Sequence, residues 1–238
     1  MDKNILIIGA SGDIGKAIVK RLSEEGYQLI LHYHRNSKAI RDLRREINDK
    51  GILSVIQADL GNVVEIEEFL KHVTFHVDGV IFASGKAYYG LFQETPEEVL
   101  NQMLNIHVKA PWRITQSVLS NMIQQSFGKI IFITSIWGDI GASLEVVYST
   151  VKGAQNTFVK ALAKEVAPNG ISVNAISPGF IDTKMNSHLS DEERSSIYME
   201  IPMNRAGSPD EVAHTVSFLL DQRSSYIQGE ILNITGGW

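Results

Sequence analysis

Tyr148 and Lys152 stand four residues apart in YSTVK (148–152). On a helix that spacing puts both side chains on one face. A phenol is a weak acid with a pKa of about 10, and a nearby ammonium stabilises its phenolate and draws that value down. The pair therefore suits proton transfer to an oxygen on which negative charge develops, as when a carbonyl accepts a hydride. Tyr and Lys at this spacing are common, so chemistry requires that the rest of the chain build a site around them.

The elements that would do so follow from the apolar pattern. Runs at ILII (5–8), QLILHY (28–33), SVIQA (54–58), GVIFA (79–83), KIIFIT (129–134), ISVNAI (171–176) and EILNI (230–234) predict buried strands. Ile14, Ile18, Val19 and Leu22 recur at helical spacing ahead of Gly26, a C-cap residue. Helices also fit 37–50, 63–72, 97–125, 147–166 and 210–220. Strands alternating with helices predict a parallel sheet wound by right-handed crossovers, and near-continuous Val/Ile runs predict cover on both faces. The expected fold is α/β: a single domain over 1–238 with one doubly wound, seven-stranded parallel sheet. Ligands of such sheets bind outside the carboxyl ends of the strands.

Composition narrows the classes. The chain has 238 residues, 44% of them hydrophobic, which suffices for one sizeable core. No repeat, low-complexity tract or linker divides it. Its 22 basic and 27 acidic residues give a net charge of −5, which weighs against a nucleic-acid surface. The absence of cysteine excludes disulfides, thiolate zinc sites and a Cys nucleophile, and no metal site is expected. The apolar run in MDKNILIIGAS is too short for a signal sequence or a membrane span. The expected location is the cytoplasm.

The first strand runs into Gly9-Ala10-Ser11-Gly12-Asp13-Ile14-Gly15 and then a helix. Glycines there let backbone approach a diphosphate, while the helix N-terminus supplies N–H groups and positive dipole. A purely structural glycine turn is the alternative. Asp13 would repel a diphosphate, so it is expected to point to solvent or cap the helix. The second strand ends in His32-Tyr33-His34-Arg35-Asn36-Ser37, without the acidic residue that accepts from the ribose of NAD. Arg35, with His34 and Ser37, offers donors for a 2′-phosphate instead. NADPH is therefore expected over NADH, unless Arg35 is a solvated loop charge. Asp59 follows the third strand, placed to accept from an adenine amino group or to cap the helix beginning at 63.

Together these motifs make the chain resemble the short-chain dehydrogenase/reductase family over essentially its whole length. The matches are IIGASGDIG (7–15), ADL (58–60), FASG (82–85), Asn105 in LNIHVKAP, Ser135 in ITSIWG, YSTVK, NAISPGFIDTKM (174–185) and YIQGEILNITGG (226–237). Ser135 precedes Tyr148 by thirteen residues, the family's usual spacing. Three departures stand out: Ile8 replaces the usual Thr before the first Gly, Asp13 the middle Gly, and Phe82-Ala83-Ser84-Gly85 the usual Asn-Asn-Ala-Gly, whose Asn side chains brace the sheet behind the cofactor.

The resemblance implies a Rossmann fold and an NADP(H)-dependent oxidoreductase acting on ketones. It makes Tyr148 the acid, Lys152 its tuner and a donor to the nicotinamide ribose, and Ser135 a hydrogen-bonding partner of the substrate oxygen. Asn105 would bind a relay water; an Asn satisfying a helix bend is the other reading. Leu60, Ala83, Ser84 and Gly85 would join Asp59, Asn36 and the first turn around the cofactor. Pro178, Gly179, Ile181 and Thr183 would flank the nicotinamide. The polar segment 182–205 would form a substrate lid, or else a surface loop. Among relatives the overall look is that of 3-oxoacyl-[acyl-carrier-protein] reductases, soluble and usually tetrameric, which implies a homotetramer here. The stretch 135–160 is also similar to reductases that convert a 5-aminopentanone group on elongation factor P. Glu145, three residues before Tyr148, would pair with a substrate ammonium, or be a solvated loop residue. Trp137 would narrow the pocket beside Ser135, or belong to the core. HYHRNS gives a weaker likeness to pteridine reductases. A different class within the fold binds NADP(H) only as a regulatory ligand, but those members usually lose the Tyr or the Lys.

Overall fold

Seven strands form one parallel sheet: β1 (Asn4–Ile8), β2 (Gln28–Tyr33), β3 (Ile52–Gln57), β4 (Gly79–Phe82), β5 (Gly128–Ile133), β6 (Ile171–Pro178) and β7 (Ile231–Ile234). Their spatial order is β3-β2-β1-β4-β5-β6-β7. The computed structural model describes residues 3–47, 49–187 and 189–238. Helices α1 (Asp13–Glu24), α2 (Ser37–Glu46), α3 (Val63–His72), α4 (Glu97–Leu104), α5 (Ala110–Gln125), α6 (Trp137–Ile140), α7 (Val146–Val166), α8 (Asp191–Glu200) and α9 (Pro209–Leu220) fill the connections.

The strands read as continuous apolar runs because each serves two cores. Side chains alternate across a strand. Leu6, Ile8, Val80, Phe82, Ile130 and Phe132 pack on one face with Ile66, Phe69, Ile114 and Val159 of α3, α5 and α7. Ile5, Ile7, Leu29, Leu31, Ile81 and Ile131 pack on the other with Ile18, Leu22, Ile40 and Val216 of α1, α2 and α9. Strand order reverses between β1 and β4, which pair from Ile5↔Gly79 to Ile8↔Phe82. The crevice at their carboxyl ends is where ligands of such sheets bind.

Three expectations change. The helix anticipated unbroken over 97–125 widens into a π turn at Asn105–Lys109. The helix expected over 37–50 ends at Glu46, and residue 48 lies outside the described residues. The polar segment 182–205 carries α8, entered through a reciprocal cap between Ser190 and Glu193. That Ser-x-x-Glu signal was legible in the sequence; polar composition concealed it.

Candidate active site

Ser135, Tyr148 and Lys152 meet at the carboxyl end of β5. Ser135 lies two residues past the end of that strand and is buried, its Oγ accepting from the Trp137 N–H at 3.3 Å. Tyr148 and Lys152 lie on α7, with the Lys152 amine 5.6 Å from the centre of the Tyr148 ring. Lys152 is buried and donates to the Ile133 carbonyl at 2.9 Å. With no compensating charge, desolvation brings its pKa down to about 7.

Tyr148 behaves differently from the sequence expectation. Burial pushes its phenol up to about 12; the nearby Ser135 hydroxyl opposes that rise and Glu145 adds to it. Lys152, whose amine is directed at the Ile133 carbonyl, does not offset that rise. The phenol is thus held protonated at neutral pH.

Asn105 opens the π turn, and its Nδ2 donates to the Gly61 carbonyl at 2.8 Å. Its amide therefore ties the bent helix to the loop after β3. Two residues on, His107 is fully buried with its ring edge-on to Tyr148, centroids 5.9 Å apart. Sequence reasoning passed over His107, since a histidine inside a helix carries no local signal of burial against a tyrosine.

The glycine turn has the shape required for a nucleotide diphosphate. Gly9 has φ +90°, and a Cβ there would stand 2.6 Å from Ser84 backbone atoms. At Gly15 it would meet the Gly9 carbonyl at 2.1 Å, so neither position admits a side chain. At Gly12, the N-cap of α1, a Cβ would approach only the Gly9 oxygen at 3.5 Å, and the helix start is open. No described side chain caps it. Ser11, Ile14 and Gly15 thus surround unused helix N–H groups, a donor set that fits a phosphate group.

Asp13 neither faces solvent freely nor caps α1. Its carboxylate accepts the Lys184 N–H at 2.7 Å and pairs with Lys16 at 2.8 Å. Desolvation alone would raise its pKa; Lys16 and the Lys184 amide outweigh it and hold the value below the ordinary one. The charge that would repel a diphosphate is committed elsewhere. His32 supports the same turn from below, taking the Gly9 N–H on Nδ1 at 3.2 Å while Nε2 contacts the Ala58 carbonyl at 3.1 Å. Burial brings its pKa down to about 4, so the ring is neutral. Where the Thr and Asn braces are missing, the Ala83 N–H donates to the Ile8 carbonyl at 2.9 Å and Phe82 stacks on Phe132 with ring centroids 4.4 Å apart.

At the end of β2, His34 Nε2 lies 3.3 Å from Arg35 Nε and 3.4 Å from the Asp59 carboxylate. Ser37 accepts from Arg41 at 3.1 Å, which adds a second guanidinium that the sequence reading did not single out. Asn36 is engaged as the cap of α2, accepting the Ala39 N–H. Asp59 does not cap α3: it accepts the Gly61 N–H at 2.9 Å, and Asn62 is the cap. Leu60 is buried in the core beside it.

Beyond β6, Pro178 accepts the Ile136 N–H at 3.1 Å and Gly179 donates to Ile234 at 2.9 Å. Ile181 is buried and bridges to Gly207; Thr183 precedes the turn Lys184–Asn186. Trp137 is partly buried against Trp238, rings 5.3 Å apart, and Trp238 also lines Gly179. Trp238, which the sequence reading omitted, thus joins Trp137 in one wall beside Ser135. Glu145 sits at the start of α7, where its charge reaches Tyr148. Among the described residues there is no cluster of three metal-ligating side chains, and no helix is long and apolar enough to cross a membrane.

Comparison with known proteins finds relatives over the whole chain. The sequence signature of the family described as Enoyl-(Acyl carrier protein) reductase matches residues 9–238. The uncharacterized oxidoreductase YmfI of Bacillus subtilis is 40% identical over 240 residues, covering 100% of this chain and 99% of its own. A 3-oxoacyl-[acyl-carrier-protein] reductase FabG of Staphylococcus epidermidis is 32% identical over 241 residues, covering 100% and 99%. The solved structure of ElxO with NADP bound superposes with a TM-score of 0.89 at 28% identity, covering 100% of this chain and 98% of that one.

Proposed function

The chain belongs to the short-chain dehydrogenase/reductase family, and from that premise we propose that this oxidoreductase is an NADPH-dependent ketone reductase of the 3-oxoacyl-[acyl-carrier-protein] reductase type. The observation that carries the reading is the convergence of Ser135, a protonated Tyr148 and a buried Lys152 at the strand ends beside an open glycine turn. Arg35, Arg41 and His34 in place of a carboxylate at the end of β2 favour a 2′-phosphate, hence NADPH over NADH.

Bound with its diphosphate on the glycine turn, the cofactor would supply a hydride to the carbonyl carbon. Ser135 holds the carbonyl oxygen near Tyr148. Tyr148 donates its proton to that oxygen as charge develops. A phenol raised to about 12 arrives loaded for reduction, and a lysine at about 7 exchanges protons readily near neutral pH. Asn105 steadies the turn beside them. Segment 182–205 acts as a lid whose near end is latched to Asp13. Exposed Leu104 and Trp112 on α4 and α5 support a homotetramer built on those helices and α7. We assign the enzyme to the cytoplasm, with no nucleic-acid or membrane partner.

A second substrate reading is favoured by Glu145, whose charge acts on Tyr148. An acyl thioester has no use for that charge, whereas the ammonium of an aminopentanone on modified elongation factor P does. The test follows NADPH oxidation with an acetoacetyl thioester and with aminopentanone-bearing elongation factor P. Under the first reading the thioester is turned over and Glu145→Gln changes little. Under the second the aminoketone is preferred and Glu145→Gln impairs it alone. Turnover of neither, with tight NADPH binding, would refute both.

A further inference from the structure

His107 stands at the middle of the π turn, with its ring held on two sides. Nε2 lies 3.0 Å from the Lys86 carbonyl oxygen, an acceptor, and 3.3 Å from the Lys86 N–H, a donor directed at it. The two contacts call for opposite tautomers, and we take the shorter one as the ring's donor bond, which places its proton on Nε2. The ring edge meets Tyr148. A Cβ on Gly85 would lie 3.3 Å from His107 Cε1 and 4.0 Å from Lys152 Nζ, so imidazole and amine flank the same glycine. The other ring nitrogen, Nδ1, is buried without a hydrogen-bond partner among the described residues. So is Oε1 of Gln155, whose Nε2 donates to the His107 carbonyl at 2.8 Å. Buried polar atoms are normally met by a partner, and an ordered water with two or more polar neighbours is the usual one where protein supplies none.

We propose that His107 is a positioning residue of the reductase: it donates through Nε2 to Lys86 and presents Nδ1 as the acceptor that holds the water through which Lys152 exchanges protons. The inference rests on the ketone-reductase reading. Asn105 commits its Nδ2 to Gly61, whereas His107 keeps an uncommitted ring nitrogen, and its Cε1 and the Lys152 amine approach the same point at Gly85. π turns of this kind concentrate at functional sites.

The proton balance is simple. Tyr148 gives its proton to the carbonyl oxygen and becomes a phenolate. The Lys152 ammonium restores the phenol and becomes a neutral amine. The water then gives one proton to the amine and recovers it from solvent. His107 neither gains nor loses a proton; by accepting one O–H it leaves the other directed at the amine.

The two nitrogens can be separated by substitution. Asparagine sets its Oδ1 where Nδ1 stands, and glutamine sets its Nε2 where the ring Nε2 stands. His107→Gln keeps the donor to Lys86 and removes the water acceptor; His107→Asn does the opposite. Wild-type turnover is established first, so that failure of the reductase reading shows itself separately. His107→Gln is then expected to lower kcat roughly 10-fold or more, leave the NADPH KM within about twofold, and enlarge the solvent deuterium isotope effect on kcat. His107→Asn is expected to recover kcat to within about threefold of wild type. The reverse order would make His107 an anchor of Lys86 and overturn the proposal, as would equal loss or no loss in both. A second measurement needs neither turnover nor folding of a variant. The ¹⁵N spectrum of the ligand-free wild-type protein is expected to show His107 protonated at Nε2 and bare at Nδ1; a protonated Nδ1 overturns the proposal.

Discussion

Lys152→Met puts the buried amine to a direct thermodynamic test. Methionine keeps the length and the apolar stem and removes the charge. The wild-type amine is buried and donates to the Ile133 carbonyl, and desolvation holds its pKa at about 7 against an ordinary 10.5. Between those values the unfolded chain carries a proton on Lys152 that the folded chain has shed. Stability therefore rises with pH across that window and is least where the buried amine must be charged. For a single group with these two pKa values, the gain from about pH 7 to about pH 9 is about 2 kcal/mol. The Met variant lacks this contribution and should be the more stable protein near neutrality, with the difference shrinking by about 2 kcal/mol over the same range. Urea denaturation of both ligand-free proteins at a series of pH values measures it. Parallel pH profiles would refute the reasoning, because they would mean that Lys152 titrates alike in the folded and unfolded chains.

Tyr148→Phe should leave the fold and NADPH binding intact and lower kcat by about 100-fold or more, since Tyr148 is the proposed proton donor to the carbonyl oxygen; steady-state turnover with calorimetric NADPH binding checks both halves. Arg35→Ala should raise the NADPH KM by roughly 10-fold and barely change that for NADH, as expected for loss of a charge-assisted contact to a 2′-phosphate. Asp13→Ala should free the Lys184 amide, which now donates to that carboxylate at 2.7 Å. Hydrogen exchange at Lys184 should accelerate, and unchanged protection would show that the latch is not carried by Asp13.

The strands were legible because their burial is written locally. A run such as QLILHY (28–33) faces two cores, so Leu29, Ile30 and Leu31 in succession are apolar whatever the partners, and β2 spans those residues. The pairing of Tyr148 and Lys152 was legible for a related reason, since one helical turn sets it, whereas the place of Ser135 beside them was implied by the family resemblance. The glycine turn followed from its place between β1 and α1.

What the sequence left open depends on neighbours remote in the chain. Asp13 looked like a misplaced charge until tertiary structure brought Lys184 to it across 171 positions. His107 acquired its setting only when the loop after β4 delivered Lys86 and Gly85, and α7 delivered Tyr148. The direction of the Tyr148 shift reversed for the same reason. Charge proximity can be read from an i, i+4 spacing, but desolvation is set by everything that closes around the group. The sequence by itself determined which residues share the reacting face, because helix and strand periods are local. Only the folded chain decided their protonation, their hydrogen-bond partners and which side chains stand behind them, because burial belongs to the whole packing.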